Sequence, residues 1–312
     1  MSFILLVIGL AMLVKCADIF VDGCSNVAKA LGIPSLIIGL TIVSFGTSAP
    51  EAAVSVTASL KGMNDISLGN VVGSNICNLL LVLGFSGLFG CLTAKRKVIT
   101  RDFVYAIFSS IVIFILSAGY FISGKQEGVI TRTNGWILLC FLAIYLYALA
   151  GDAFKSARKK EEKTKFKFKD LIFIIIGIAG IIIGGQLVVN SASDIANMLN
   201  IGQNVIALTV IAIGTSLPEL VTSVVAARKG EVDIAIGNVV GSNIFNILFI
   251  LGLSSAISPI TYTFESFIDI IIMMVVSLVV YLLTLKNYRI GRKKGIILLS
   301  MYAAYMAYIL IR

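Results

Sequence analysis

The stretch Gly46-Thr47-Ser48-Ala49-Pro50-Glu51, followed by Gly69-Asn70-Val71-Val72-Gly73-Ser74-Asn75-Ile76-Cys77-Asn78, returns 168 residues later without a gap. The second copy reads Gly214-Thr215-Ser216-Leu217-Pro218-Glu219 and Gly237-Asn238-Val239-Val240-Gly241-Ser242-Asn243-Ile244-Phe245-Asn246. Between Leu40–Ser86 and Leu208–Ser254, 27 of 47 aligned positions are identical. The chain is therefore a duplicated unit, and each copy carries one glutamate in the same apolar setting.

That setting is a membrane. Of the 312 residues, 58% are hydrophobic and 13% charged, with a mean hydropathy of +1.02. An ordinary soluble domain is about 45–50% apolar and about 25% charged. Charges and turn residues cut the chain into ten apolar segments, near 2–22, 34–60, 66–90, 102–122, 135–151, 170–193, 203–227, 234–257, 266–285 and 295–311. Each is of the length that crosses a bilayer as a helix. The first lacks a basic start and a small-residue cleavage site, and it carries Lys15, Asp18 and Asp22, so it is expected to be retained. The fold class predicted is an all-α integral membrane protein of ten transmembrane helices.

Five spans per half is an odd number, so the second half enters the membrane upside down, giving two inverted five-helix repeats. These are residues 1–151 and 170–312, joined by a basic linker, 152–169. With the N-terminus outside, 20 of the 25 basic residues fall on inner connections, as the positive-inside rule requires. Lys61, Lys125, Arg132 and Arg312 lie outside, and Lys15 is left within the first span. This orientation predicts a multi-pass protein of the cell membrane with both termini outside and a cytoplasmic linker.

The net charge of +9 follows from that topology rather than from nucleic-acid binding. The linker run from Lys155 to Lys169 orients the chain and touches anionic lipid headgroups, with Phe166 and Phe168 between lysines suited to a surface helix. The five cysteines lack paired spacing and there is no histidine, which argues against disulfides, a zinc site and histidine chemistry; the cysteines are expected to be packing residues. No Gly-x-x-x-x-Gly-Lys-Ser/Thr loop and no serine triad can be assembled. The chain is thus read as neither pump nor enzyme, with no cofactor, and as a monomer.

An ionised carboxylate within a span costs at least about 2.5–3.5 kcal/mol, so Glu51 and Glu219 need compensation. Each follows Gly-Thr-Ser-x-Pro, the sequence of an interrupted helix: glycine tolerates unwinding, and proline lacks an N–H. Freed carbonyls are expected at Ser44 and Thr47, and at Ala212 and Thr215. Such breaks are where transporters bind ions. In the second motif Asn70, Ser74 and Asn78 recur every fourth residue and share a helix face, as do Asn238, Ser242 and Asn246. Together Glu51, Glu219, Thr47, Thr215, Ser48, Ser216, Ser74, Ser242, Asn78 and Asn246 make an all-oxygen pocket with two carboxylates. Ca²⁺ favours about 6–8 flexible oxygen ligands, and softer metals are disfavoured without thiolate or imidazole. Two negative charges match one Ca²⁺, and several Na⁺ ions can replace it.

These twin motifs closely resemble the alpha repeats of the calcium/cation antiporter superfamily, in particular its prokaryotic sodium/calcium exchangers. The resemblance implies that spans two, three, seven and eight form the ion-binding core and spans one and six a sliding bundle. It implies Glu51 and Glu219 as principal Ca²⁺ ligands, with the carbonyls of Thr47 and Thr215. It places Ser44, Ala212, Ser48, Ser216, Ser74 and Ser242 at flanking Na⁺ sites, and Asn78 and Asn246 at the central one. Some members, including the potassium-dependent branch, carry aspartate at the position of Asn246; the neutral amide here points to a K⁺-independent exchanger. The added acidic residue typical of the proton/calcium branch is missing from both copies, which favours Na⁺ over H⁺ as the coupling ion. The expected function is Na⁺/Ca²⁺ exchange by alternating access. H⁺/Ca²⁺ or K⁺-dependent Na⁺/Ca²⁺ antiport, and a cation channel, are the alternatives, although channels usually repeat carboxylate rings by oligomeric symmetry.

Overall fold

A computed structural model describes residues 1–122, 127–159, 167–199 and 212–311. The helices are α1 (Ser2–Leu31), α2 (Ser35–Thr47), α3 (Ala49–Leu60), α4 (Asn64–Cys77, continuing through a π turn at Asn78–Val82 to Leu83–Phe89), α5 (Val104–Ile122, entered by a π turn at Val98–Phe103) and α6 (Arg132–Lys159). In the second half come α7 (Phe168–Met198), α8 (Ala212–Thr215), α9 (Leu217–Arg228), α10 (Val232–Phe245, a π turn at Asn246–Leu251, and Gly252–Ile257), α11 (Phe264–Leu285) and α12 (Arg292–Ile311). Among the described residues, eight helices are long and apolar enough to span a membrane, and the pair α2–α3, bent by 50°, makes up to a ninth. The expected span over 203–227 begins outside the described residues, which here resume at Ala212.

The duplicated sequence folds alike twice. Adding 168 to the bounds of α3 gives those of α9, and the same shift carries the ends of α4 onto those of α10. Lys61-Gly62 and Lys229-Gly230 make the equivalent turns that fold α3 against α4 and α9 against α10. Their glycines have φ of 71° and 77°, a left-handed conformation that other residues rarely adopt.

Several helices outrun their expected bounds. α1 continues past Asp22 to Leu31, where Gly32 at φ 72° caps it, because charged residues leave the bilayer without ending a helix. Likewise α6 runs through the start of the linker to Lys159, and 160–166 lie outside the described residues.

Two antiparallel ladders were not foreseen. β1 (Leu92–Thr93) pairs with β4 (Arg289–Ile290), and β2 (Gly128–Ile130) with β3 (Ile260–Tyr262). Each ladder joins a connection of one half to a connection of the other.

The core lies between α4 and α10, the most buried of the spanning helices. Glycine lets α10 approach α2 closely: a Cβ on Gly237 would lie 2.9 Å from Gly39 Cα. α1 and α7 run antiparallel with Gly184 against Gly9 and Leu13, Gly180 against Cys16, and Gly177 against Phe20. Small residues take the place of hydrophobic segregation here, since lipid tails are as apolar as leucine. Of the cysteines, Cys24 and Cys77 are buried and Cys16 half-buried, but Cys91 and Cys140 are exposed, so packing accounts for only three of the five.

Candidate functional site

In each copy the helix stops at the serine of Gly-Thr-Ser. Ser48 has φ −82° and ψ 8°, and Ser216 φ −87° and ψ 3°, in the sparsely populated bridge region. The next residue starts a new helix with proline in its first turn, where a missing N–H has no intrahelical partner to lose. Glu51 and Glu219 therefore sit in the first turns of the twelve-residue helices α3 and α9, where unpaired N–H groups favour negative charge.

This geometry corrects one expectation. The Ser44 carbonyl is not freed: it accepts from the Ser48 N–H at 3.0 Å and from the Thr47 hydroxyl at 3.4 Å. Pro50 begins a second helix instead of interrupting one, so the bond upstream keeps its donor. In the other copy the Ser216 N–H donates to the Ile213 carbonyl at 3.1 Å.

Both glutamates are fully buried, and each is bonded by the opposite half. Ser48 donates to Glu219 Oε1 at 2.8 Å, and Ser216 to Glu51 Oε1 at 3.5 Å. Ser242 also reaches Glu219 Oε1, at 3.5 Å. The second oxygen of each carboxylate, Oε2, has no protein partner, nor do Ser74 Oγ, either polar atom of the Asn78 amide or Asn246 Oδ1. Buried polar atoms are nearly always hydrogen-bonded, and two fully buried carboxylates that each keep an unpartnered oxygen are suited to a positively charged ligand, whereas the Asn78 amide nitrogen is a donor and is not. Among the described residues no group of three or more His, Cys, Asp and Glu occurs, and neutral oxygens must complete any coordination around the two carboxylates.

Of the remaining predicted residues, Thr47 and Thr215 donate to Asn238 Oδ1 at 3.0 Å and Asn70 Oδ1 at 3.5 Å. Ser44 donates to the Thr41 carbonyl at 3.2 Å and lies against Gly241, where an added Cβ would meet Ser44 Oγ at 2.6 Å. Asn246 donates to Asn75 Oδ1 at 3.1 Å. Ala212 opens α8 next to the break.

The same contacts bring in residues that were not expected in the pocket. Asn70 donates to the Glu51 carbonyl at 3.2 Å and to Ser55 Oγ at 2.9 Å; Asn238 donates to the Glu219 carbonyl at 3.3 Å and to Ser223 Oγ at 2.9 Å. Each asparagine thus ties a glutamate's own backbone to a threonine of the opposite half. Asn75 and Asn243 exchange bonds from side-chain amide to backbone carbonyl, at 3.3 and 3.4 Å, where α4 crosses α10. The signal available was the recurrence of Asn70, Asn75 and Ser55 in the second copy.

Residues 1–151 and 169–311 match the sodium/calcium exchanger protein family, so the match skips the linker and covers both halves. The chain is 37% identical over 309 residues to the putative antiporter CaxA of Alkalimonas amylolytica, covering 97% of this chain and 96% of that protein. It is 33% identical over 340 residues to the sodium/calcium exchanger MaX1 of Methanosarcina acetivorans, covering 98% and 97%. A solved structure of the sodium-calcium exchanger NCX_Mj superposes with a TM-score of 0.82 at 31% identity, covering 98% and 97% of the two chains. With the family match over both halves, relatives of this identity along nearly their whole length and a shared fold, the chain belongs to the sodium/calcium exchanger family.

Proposed function

We propose that this antiporter exchanges Na⁺ for Ca²⁺ at a single site built around Glu51 and Glu219, opened alternately to the two sides of the membrane. The observation that carries the reading is the pair of fully buried carboxylates, each bonded by the serine of the opposite half through Oε1 and each left with an Oε2 that has no protein donor. Glu51 and Glu219 bind Ca²⁺ with the carbonyls of Thr47 and Thr215. Ser44, Ser48, Ser74, Ala212, Ser216 and Ser242 flank it as Na⁺ positions, and Asn78 and Asn246 line the centre. A formal charge of −2 among flexible oxygens suits Ca²⁺ better than Mg²⁺, which holds its waters.

Ten spans in two inverted halves, 1–151 and 170–312, complete the proposal, with the linker cytoplasmic, both termini outside, the chain monomeric and lipid around it. The strand ladders support the count. β2 and β3 pair, so their connections share one side of the membrane and an even number of spans separates them. β1 and β4 must likewise share a side. The ten-span plan meets both requirements. The closely seated helices α1 and α7 move as one body past the core, which changes the side open to the ions.

The deciding experiment is uptake of radioactive calcium into proteoliposomes holding the purified chain. Internal Na⁺ should drive uptake, and internal K⁺ should not. Uptake driven equally by a pH gradient would assign the protein to proton coupling, and a requirement for K⁺ would assign it to the potassium-dependent branch. Calcium flux without counter-transport would make it a channel.

A further inference from the structure

Lys15 is the one basic residue that the topology leaves inside a span, and the ion site makes no use of it. It lines a groove of about 890 Å³ on the outer face of α1, beside the last turn of α9. The groove has two kinds of wall. Leu10, Ala11 and Val14 of α1, with Val225 of α9, form an apolar channel, while Lys15, Arg228, Lys229 and Asp18 gather at one end.

The charges at that end are not balanced. Lys229 is neutralised by Asp18 at 2.7 Å and Asp22 at 2.6 Å, and it donates to the Asp18 carbonyl at 2.9 Å. Lys15 and Arg228 are exposed and have no carboxylate within ion-pair distance among the described residues. Three basic residues thus face two carboxylates, which leaves one positive charge in excess, carried by the unpaired Lys15 and Arg228 at the head of an apolar trough; Lys15 lies within the span, where an unpaired charge is costly. The complementary ligand carries a negative group next to a hydrocarbon chain.

We propose that this groove binds an anionic phospholipid, its phosphate held between Lys15 and Arg228 and an acyl chain laid along Leu10, Ala11 and Val14. Basic pockets between transmembrane helices recognise acidic headgroups in this way. A zwitterionic lipid carries its own cation and gains less from the pair. A free phosphate ester reaches the cations but leaves the trough unfilled. The site is separate from Glu51 and Glu219 and does not depend on which ions are exchanged.

Native mass spectrometry of the full chain in detergent, titrated with phosphatidylglycerol or phosphatidylcholine of the same acyl composition, tests this. Phosphatidylglycerol should be retained in preference. Lys15→Gln and Arg228→Gln should each reduce that retention about fivefold, the equivalent of about 1 kcal/mol per basic residue, and Lys61→Gln should not. Ala11→Phe, which fills the trough without altering charge, should also lower it, and thermal melting shows that each variant is folded. Millimolar glycerol phosphate should fail to displace the lipid. Equal retention of the two lipids, retention unchanged in the Lys15→Gln/Arg228→Gln double variant, or displacement by glycerol phosphate would overturn the proposal.

Discussion

The hydroxyl of Ser48 is bonded to Glu219 at 2.8 Å, although 171 residues separate them and Glu51 is only three residues away. Its counterpart, Ser216 to Glu51, is looser at 3.5 Å. The serine at each break therefore serves the carboxylate of the other half, and the two exchanges are unequal. A hydrogen bond to a charged group is worth about 1.5–3 kcal/mol. Ser48→Ala should weaken apparent ion affinity by about tenfold, about 1.4 kcal/mol, and Ser216→Ala by less. Concentration dependence of calcium uptake checks this, and equal effects would show that the asymmetry does not bear on binding.

Glu51→Gln and Glu219→Gln should each abolish calcium transport while the protein stays folded. Either change leaves a divalent ion facing one negative charge in place of two. Uptake assays paired with size-exclusion profiles test the statement. Near-normal exchange in either variant would mean that the carboxylates do not share one site.

Asn238 accepts from Thr47 and donates to the Glu219 carbonyl and to Ser223. Asn238→Ala removes three buried hydrogen bonds, each worth about 0.5–1.5 kcal/mol, although the Thr47 hydroxyl keeps its bond to the Ser44 carbonyl. Both melting temperature and transport should fall. Asn238→Asp keeps the acceptor for Thr47 but loses the amide donors, so it should only partly restore them. An alanine variant with wild-type stability and flux would remove Asn238 from the brace.

Gly241 leaves no space for a side chain: an added Cβ would meet Ser44 Oγ at 2.6 Å and Leu40 Cα at 2.9 Å. Gly241→Ala should destabilise the protein by about 1–3 kcal/mol, the usual cost of overpacking. Adding Ser44→Ala should relieve the hydroxyl clash but not the backbone contact. Full recovery of melting temperature in the double variant would show that the backbone can yield.

Asn246 leaves its Oδ1 without a protein donor, and the pocket carries two carboxylates. Close like charges resist joint ionisation, so a third carboxylate in Asn246→Asp sets protons in competition with the transported ions. Sodium-driven calcium flux should then depend more steeply on pH between 6 and 9 than in the natural protein, and a K⁺ effect should become measurable. Indistinguishable profiles would place Asn246 away from the ions.

Much of this was legible because the informative residues act locally. Pro50 and Pro218 mark the new helices within a few residues of where they begin, and Gly62 and Gly230 mark the turns. Hydrophobic runs located the membrane helices but not their ends, since α1 continues beyond its last apolar stretch. The π turns at Asn78 and Asn246 could not be read, because an extra residue in a turn is set by packing rather than by propensity. The partners of Ser48, Thr47 and Asn70 were equally hidden. A periodic stripe shows that Asn70 shares a face with Ser74 and Asn78, but not that its amide turns to the Glu51 backbone.

The bonds that cross between the halves bear on descent. A chain of half this length, the form that preceded duplication, carries one carboxylate without the serine that meets it, and one strand of each ladder without its mate. Such a chain is complete only as a pair of identical copies. Fusion into one polypeptide fixed the ratio of the copies and then let them diverge, as Cys77 and Phe245 have beside two unchanged asparagines.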